Sequence, residues 1–374
     1  MKIALLSTLY PFRGGIAQFN AALFNEFKKN HTTKAYTFTR QYPNLLFPGQ
    51  TQYVTESDNA EVIESEEVLD SINPLSYYLT ARKINLYRPD LLIAKFWMPF
   101  FAPSLGYVSK KLRKQGTKSI AIIDNLIPHE KRIGDLALVK YFINRFDAFV
   151  VMSKVVEQDL LRVLPKAQYV LHPHPIYDHF AKKVEKEKAL NQLNLPQDKK
   201  ILLFFGFIRK YKGLDILLRS MRHLSDDYLL LVAGEIYGSF DEYQKIIDEE
   251  EIAGKVSLHI RYINDDEVPL FFSAADVTAL PYKSATQSGI AQIAMHYELP
   301  LIVTQKGGLP ELIEHEKTGL ILKNEDAEEL ARLIDYYFQN NCKSKFASEI
   351  AKQKDRYSWP QFTQSLLTLY EQLS

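Results

Sequence analysis

Apolar positions along this chain follow two rhythms. Short, nearly uninterrupted apolar runs occur at KIALLS (2–7), TKAYTFT (33–39), DLLIAKF (90–96), KSIAIID (118–124) and AFVVMS (148–153). Between them lie longer stretches, such as 16–28, in which apolar residues recur every three or four positions. The first rhythm predicts strands buried on both faces, the second amphipathic helices. Their alternation predicts a parallel sheet built from β-α-β units. The pattern repeats with KILLFFGF (200–207), YLLLVAG (228–234), KVSLHIRYI (255–263), DVTALPY (276–282) and LPLIVT (299–304).

Between the two series, LHPHPIYDHF (171–180) breaks both rhythms with two prolines and three histidines, and a charged, helix-prone segment follows. This reads as a linker. The last stretch, 357–373, is amphipathic after Pro360 and predicts a terminal helix. The expected organisation is α/β with two Rossmann-like doubly wound domains: 1–170, completed by a C-terminal helix over 357–374; a linker over 171–195; and 196–356. In open α/β sheets ligands bind beyond the carboxyl ends of the strands, so the ligand is expected in a cleft between the two domains.

Composition narrows this picture modestly. The chain has 374 residues, 46% hydrophobic and 24% charged, the proportions of a globular protein large enough for two cores. No apolar run reaches the length of a membrane span, and the single cysteine, Cys342, fits a reducing cytoplasm. The formal charge of +1 conceals an asymmetry. Residues 1–170 hold 22 Lys+Arg against 15 Asp+Glu, a balance of +7. Part of it is the run Lys110, Lys111, Arg113 and Lys114, which fits either a solvated helix face or an anionic membrane surface, and so a peripheral location at the inner face of a membrane. The three histidines lack a Cys or carboxylate at ligand spacing, so no metal is expected there.

Candidate chemistry sits in the loops after the predicted strands. Gly14 and Gly15 stand where the first strand turns into a helix, allowing close backbone approach and free N–H groups for an anion. In GFIRKYKG (206–213), Arg209, Lys210 and Lys212 lie at a strand end just before a helix, a setting that suits a diphosphate. Gly234 and Glu235 follow the next strand. Tyr262 and Ile263 suit a nucleobase, with Asn264 or Asp265 expected to cap the following helix. The loop SATQSG (284–289) offers Gln287, Ser288 and the N–H of Gly289 to sugar hydroxyls and phosphate oxygens, with Gln292 one turn on.

These loops, in this order, resemble the retaining glycosyltransferases of the GT4 family and GT-B fold, over essentially the whole chain. The resemblance rests on Gly14-Gly15, on GFIRKYKG, and on the block from DVTALPY to TGLIL with its GGLPE. It implies a hexosyltransferase of the kind used in polysaccharide biosynthesis. Such an enzyme moves a hexose from a nucleoside diphosphate sugar to a hydroxyl of a glycan or lipid-linked acceptor, with retention. It needs no cofactor or metal, because Arg209 and Lys212 neutralise the leaving diphosphate. It also implies that Asp124 stands where the family often places a residue facing the reacting sugar, with Asn125, His129, Glu130 and Trp97 as acceptor-side candidates. The family's loop usually carries a Glu-x7-Glu pair. Aligned on Ala294-Met295, those positions are Ala285 and Ile293, and Gln292 is the neighbouring replacement for the ribose contact. The missing pair keeps open a second reading, a catalytically degenerate nucleotide-sugar-binding or partner subunit. A sugar-nucleotide epimerase of the same fold is disfavoured because it needs acid/base carboxylates.

Overall fold

The computed structural model describes residues 1–43, 51–54, 61–128, 132–177, 180–236, 238–286 and 288–373. The chain divides into two compact units, Met1–Pro175 with Tyr357–Ser374, and Ile176–Arg356.

In the first unit the strands are β1 (Lys2–Leu6), β2 (Thr32–Arg40), β3 (Ser65–Asp70), β4 (Leu91–Phe96), β5 (Lys118–Ile123), β6 (Ala148–Val151) and β7 (Tyr169–Leu171). They form a parallel sheet in the order β3-β2-β1-β4-β5-β6-β7. Its helices are α1 (Gly15–Lys28), α2 (Pro74–Tyr87), α3 (Ala102–Arg113), α4 (Asp135–Ile143) and α5 (Lys154–Val163). In the second unit β8 (Lys200–Phe205), β9 (Tyr228–Ala233), β10 (Val256–His259), β11 (Val277–Leu280), β12 (Leu301–Thr304) and β13 (Gly319–Leu322) are parallel in the order β10-β9-β8-β11-β12-β13. Its helices are α6 (Lys186–Gln192), α7 (Leu214–Met221), α8 (Asp241–Glu249), α9 (Val268–Ala274), α10 (Gly289–His296), α11 (Ala327–Gln339) and α12 (Cys342–Gln353). The final helix, α13 (Trp359–Glu371), belongs to the first unit, where the Trp359 and Phe362 rings lie 5.0 and 5.7 Å from Phe19 of α1.

Both sheets are doubly wound, and strand order reverses once in each, between β1 and β4 and between β8 and β11. Loops diverge at such a point and leave a crevice beyond the strand ends. The central strands β4, β8, β9 and β11 are buried almost throughout, which is why their sequences are continuous apolar runs.

Three differences from the sequence reading have clear causes. The edge strands β3 and β7 were not expected: each is paired on one side only and its residues are largely half-exposed, β3 mixes polar with apolar residues, and β7 is only three residues long. Within 171–195 the chain forms α6, which buries Ala189 and Leu190 and sends Lys186 Nζ to Asp276 at 2.6 and 2.8 Å. Neither Asn264 nor Asp265 caps α9; the helix begins at Val268 with Glu267 at its N-cap position, and Asn264 instead supplies its carbonyl to the Glu267 and Val268 amides.

Candidate functional site

The loop after β8 is shaped by backbone constraints. Gly206 and Gly213 have φ of 91° and 70°, a region that favours glycine. A Cβ on Gly213 would collide with the Pro281 carbonyl at the end of β11. The two loops at the strand-order reversal are therefore in direct contact. Their contact is reinforced by Lys283 N–H donating to the Tyr211 carbonyl at 2.7 Å and by the Lys283–Asp215 ion pair at 2.7 Å. Gly234, after β9, lies so close that a Cβ there would strike the Gly206 carbonyl. The Ile208 amide donates to Glu235 O at 2.8 Å, and the Gly234 amide to His259 O at 3.1 Å. Gly234 and Glu235 thus join the same strand-end assembly. Ile263 is buried and Tyr262 half-buried in the loop after β10.

The three cations of GFIRKYKG have different fates. Lys210 points outward and pairs with Glu242 at 2.8 Å. Arg209 is half-buried at the N-cap of a 3-10 turn over Lys210–Lys212. Lys212 is only 7% exposed. Burial, and then the positive charge of Arg209, push its ammonium down to about 7. Its Nζ lies 5.7 Å from the Tyr282 ring centroid and 3.3 Å from where a Gly206 Cβ would stand, beside the Ile290 side chain. A buried lysine beside an arginine is an electrostatically frustrated pair, which a bound anion relieves.

The loop after β11 leads into α10. Ser288 is its N-cap, its hydroxyl accepting from the Ala291 amide at 3.4 Å. Gly289 lies against Tyr177, whose ring would be 3.3 Å from an added Cβ. Gln292 is 1% exposed, and neither atom of its amide has a hydrogen-bond partner. Buried amides are rarely left unsatisfied, because each missing bond costs about 1–3 kcal/mol. Ala285 and Ile293, the positions where the related motif has glutamates, are both buried. Gln287 lies outside the described residues.

In the first unit Gly14 is the N-cap of α1 with φ of 102° and open space around its Cβ position, and Gly15 begins the helix. Asp124, just after β5, has its Oδ1 2.6 Å from Lys95 Nζ. Lys95 was not anticipated as a site residue. It is 1% exposed, sits 3.3 Å from the Phe19 ring centroid, and burial lowers its pKa against the opposing pull of Asp124. The signal that could have found it is a lone charge inside the apolar run LLIAKF. His174 packs its ring 5.0 Å from Phe19, and burial, then Lys95, push it down to about 3, so it is neutral. Two polar oxygens near this strand edge, Asn125 Oδ1 and Asn20 Oδ1, are buried without a partner. Trp97 donates its indole N–H to the Tyr42 hydroxyl at 2.8 Å and packs 4.4 Å from the Phe101 ring. His129 and Glu130 lie outside the described residues. Among the described residues no group of three or more His, Cys, Asp or Glu could hold a metal ion, and no helix is long and apolar enough to cross a membrane.

Residues 185–354 match the family model of glycosyl transferases group 1. Among curated proteins, a D-inositol 3-phosphate glycosyltransferase from Corynebacterium urealyticum is 28% identical over 201 residues, 50% of this chain and 46% of that protein. A putative glycosyltransferase, YtcC, from Bacillus subtilis is 31% identical over 153 residues, 38% of this chain and 37% of its own length. The matched stretch thus spans about half the length, or less, of these relatives. Solved structures match end to end. Sucrose-phosphate synthase from Thermosynechococcus elongatus has a TM-score of 0.76 at 20% identity, covering 100% of this chain and 99% of that one. Anabaena Alr3699/HepE in complex with UDP has a TM-score of 0.76 at 16% identity, covering 98% and 100%. The second unit is thus a domain of the group 1 glycosyltransferase family, and the chain that carries it has the GT-B fold.

Proposed function

We propose that this protein transfers a hexosyl group from a nucleoside diphosphate sugar to a hydroxyl of a glycan or lipid-linked acceptor, with retention at the anomeric carbon. The observation that carries the reading is Lys212, a buried ammonium beside Arg209 at the strand-order reversal of a glycosyltransferase-family domain. In the reaction the bond between the anomeric carbon and the diphosphate oxygen breaks. The acceptor oxygen bonds to that carbon on the same face, and its proton passes to the departing diphosphate. Negative charge grows on the leaving oxygens, where Arg209 and Lys212 would meet it with fixed positive charge, the role a metal ion plays elsewhere. The reading therefore needs no metal.

The donor would rest on the backbone of Gly14, Gly15 and Gly234, with Glu235, Tyr262 and Ile263 towards its nucleoside. Gln287, Ser288, Gly289 and the unpartnered Gln292 would face its sugar and phosphates. The Anabaena neighbour solved with UDP-glucose makes that donor the first to test. Asp124, oriented by Lys95, and Asn125 are the proposed acceptor-side groups, with Trp97, His129 and Glu130. An anionic membrane surface, met through Lys110, Lys111, Arg113 and Lys114, is the proposed place of reaction, at the cytoplasmic face.

The test is release of nucleoside diphosphate from UDP-glucose, GDP-mannose and ADP-glucose in the presence of a lipid and glycan extract, with the anomeric configuration of the product read by NMR. Release from one donor with retention, abolished in Arg209→Ala/Lys212→Ala, supports the reading. Nucleotide binding without release from any donor supports the second one, a binding or partner subunit, which the absence of carboxylates at Ala285 and Ile293 favours.

A further inference from the structure

The outer face of α13 carries amides and hydroxyls where a surface helix ordinarily carries charge. Gln361, Gln364, Thr368 and Gln372, the last at the C-cap, are all exposed. At about 100° per residue these four fall within one stripe about 80° wide. Of the 13 residues of α13 only Glu371 is charged. The preceding helix, α12, has Lys343, Lys345, Glu349 and Lys352 among its 12. The other side of α13 is ordinary core, with Trp359, Phe362, Leu366 and Leu369 buried.

The stripe borders a groove of about 560 Å³ within the first unit. Small-molecule sites span about 300–1,000 Å³. The opposite wall is the edge strand β7, through Tyr169, Val170 and His172, and among the described residues no charged side chain lines the groove. The His172 amide donates to the Val151 carbonyl at 3.0 Å, and the Gln168 carbonyl accepts from the Phe149 amide at 2.9 Å. Backbone groups alternate sides along a strand, so Tyr169 and Leu171 direct theirs to the open edge. One end of the groove lies at the carboxyl edge of the sheet. His172 follows β7 as Asp124 follows β5, and the Phe362 ring, beside Gln361, is 5.2 Å from the His172 ring. One strand separates β5 from β7, so the two lie about 10 Å apart.

We propose that the groove between β7 and α13 binds a neutral glycan chain. The proposal rests on the glycan-acceptor part of the proposed function and names the class of acceptor: an uncharged oligosaccharide whose distal units lie along β7 while its end reaches towards Asp124. The chemistry of the walls selects this occupant. A sugar hydroxyl both donates and accepts, and a carboxamide does the same, with two N–H donors and an acceptor oxygen. The open strand edge adds further N–H and C=O groups. These neutral groups give up water at far lower cost than charged ones, which suits a ligand that carries no charge to compensate them. An anionic polymer or headgroup needs cations that the groove lacks. A peptide strand added to β7 would find only three residues to pair with.

The experiment titrates the full chain, without nucleotide, with neutral oligosaccharides (maltohexaose, isomaltohexaose, cellohexaose, chitohexaose and mannohexaose) and with an anionic one, oligogalacturonate. Binding is read by calorimetry, and its place by hydrogen exchange. Wild type is compared with Gln361→Ala/Gln364→Ala/Gln372→Ala, three exposed changes that leave the core of α13 intact, and with Arg209→Ala/Lys212→Ala. The expected result is binding of at least one neutral oligosaccharide and not of oligogalacturonate, with slower exchange at Tyr169 and Leu171. The glutamine variant should bind about tenfold or more weakly at an unchanged melting temperature. The Arg209/Lys212 variant should bind as wild type does. Binding of equal strength to wild type and the glutamine variant, or binding lost in the Arg209/Lys212 variant, would place the glycan elsewhere and overturn the proposal. Binding of oligogalacturonate alone, or of no oligosaccharide, would overturn it as well. Nucleotide release and nucleotide binding are measured separately, so a failure of the glycosyltransfer reading is distinguishable from a failure of this one.

Discussion

If Lys212 receives a diphosphate, binding must carry a proton with it. The free protein holds this lysine at about 7, against an ordinary 10.5, because burial and Arg209 both oppose its charge. The difference, 10.5 − 7 = 3.5 units, corresponds to about 5 kcal/mol at most. A bound diphosphate stays ionised above pH 7 and restores the ammonium. At pH 8 the free protein has Lys212 about one-tenth protonated and the complex nearly fully so, giving an uptake of about 0.9 proton per nucleotide. At pH 6 the uptake falls to about 0.1, and affinity should drop about tenfold between pH 8 and pH 9. Calorimetry in two buffers of different ionisation enthalpy reads the uptake directly. The same lysine makes stability rise with pH: between pH 7 and 10.5 the unfolded chain holds a proton that the folded chain has lost, so the burden is greatest below pH 7 and fades above it. Lys212→Met should therefore gain stability over wild type at pH 6.5, and lose about 2 kcal/mol of that advantage between pH 7 and pH 9. An uptake below about 0.2 at pH 8, or one that survives in Lys212→Met, would refute the assignment of the proton to this group.

Other consequences follow from the same geometry. Gln292→Leu removes an unpartnered buried amide and should raise the urea midpoint of the free protein, by the equivalent of about 1–3 kcal/mol, while weakening nucleotide binding. Destabilisation instead would mean that the amide has a protein partner. Gly213→Ala sets a Cβ against the Pro281 carbonyl at positive φ and should cost more than about 2 kcal/mol with loss of nucleotide binding. Gly116→Ala, also at positive φ but in open space, should cost about 1 kcal/mol. Breaking the Lys95–Asp124 pair by Lys95→Met should cost about 3–5 kcal/mol in chemical unfolding, and Lys95→Met/Asp124→Asn should recover most of it. Losses of Lys95→Met and Asp124→Asn that simply add in the double variant would show that the two groups are not coupled.

How much of this was legible in the sequence depended on burial. Central strands such as DLLIAKF and YLLLVAG are enclosed on both faces, so their composition alone marks them. Of the two strands at the sheet edges, β3 mixes polar with apolar residues because it is half-exposed, and β7 is only three residues long, too short to show a pattern. The loops after β8 and β11 were legible through glycine and charge, but their mutual contact was not. Gly213 against Pro281 and Lys283 against Asp215 join residues nearly 70 positions apart, and only strand order brings them together. Composition alone did not separate the three loop cations, and the family resemblance singled out Arg209 and Lys212; tertiary packing adds the contrast between the exposed Lys210 and the buried Lys212. Lys95 shows the converse, a visible signal left unread, since a single charge within an all-buried strand requires a partner.

The central claim is that a nucleoside diphosphate is held by Arg209 and Lys212. Calorimetric titration of UDP, GDP and ADP, with their sugar conjugates, into wild type and Arg209→Ala/Lys212→Ala tests it most directly. Micromolar binding of one nucleotide family to wild type, lost in the double variant while its melting curve stays intact, is the predicted result. Binding of equal strength to both proteins, or of no nucleotide to wild type, would contradict it.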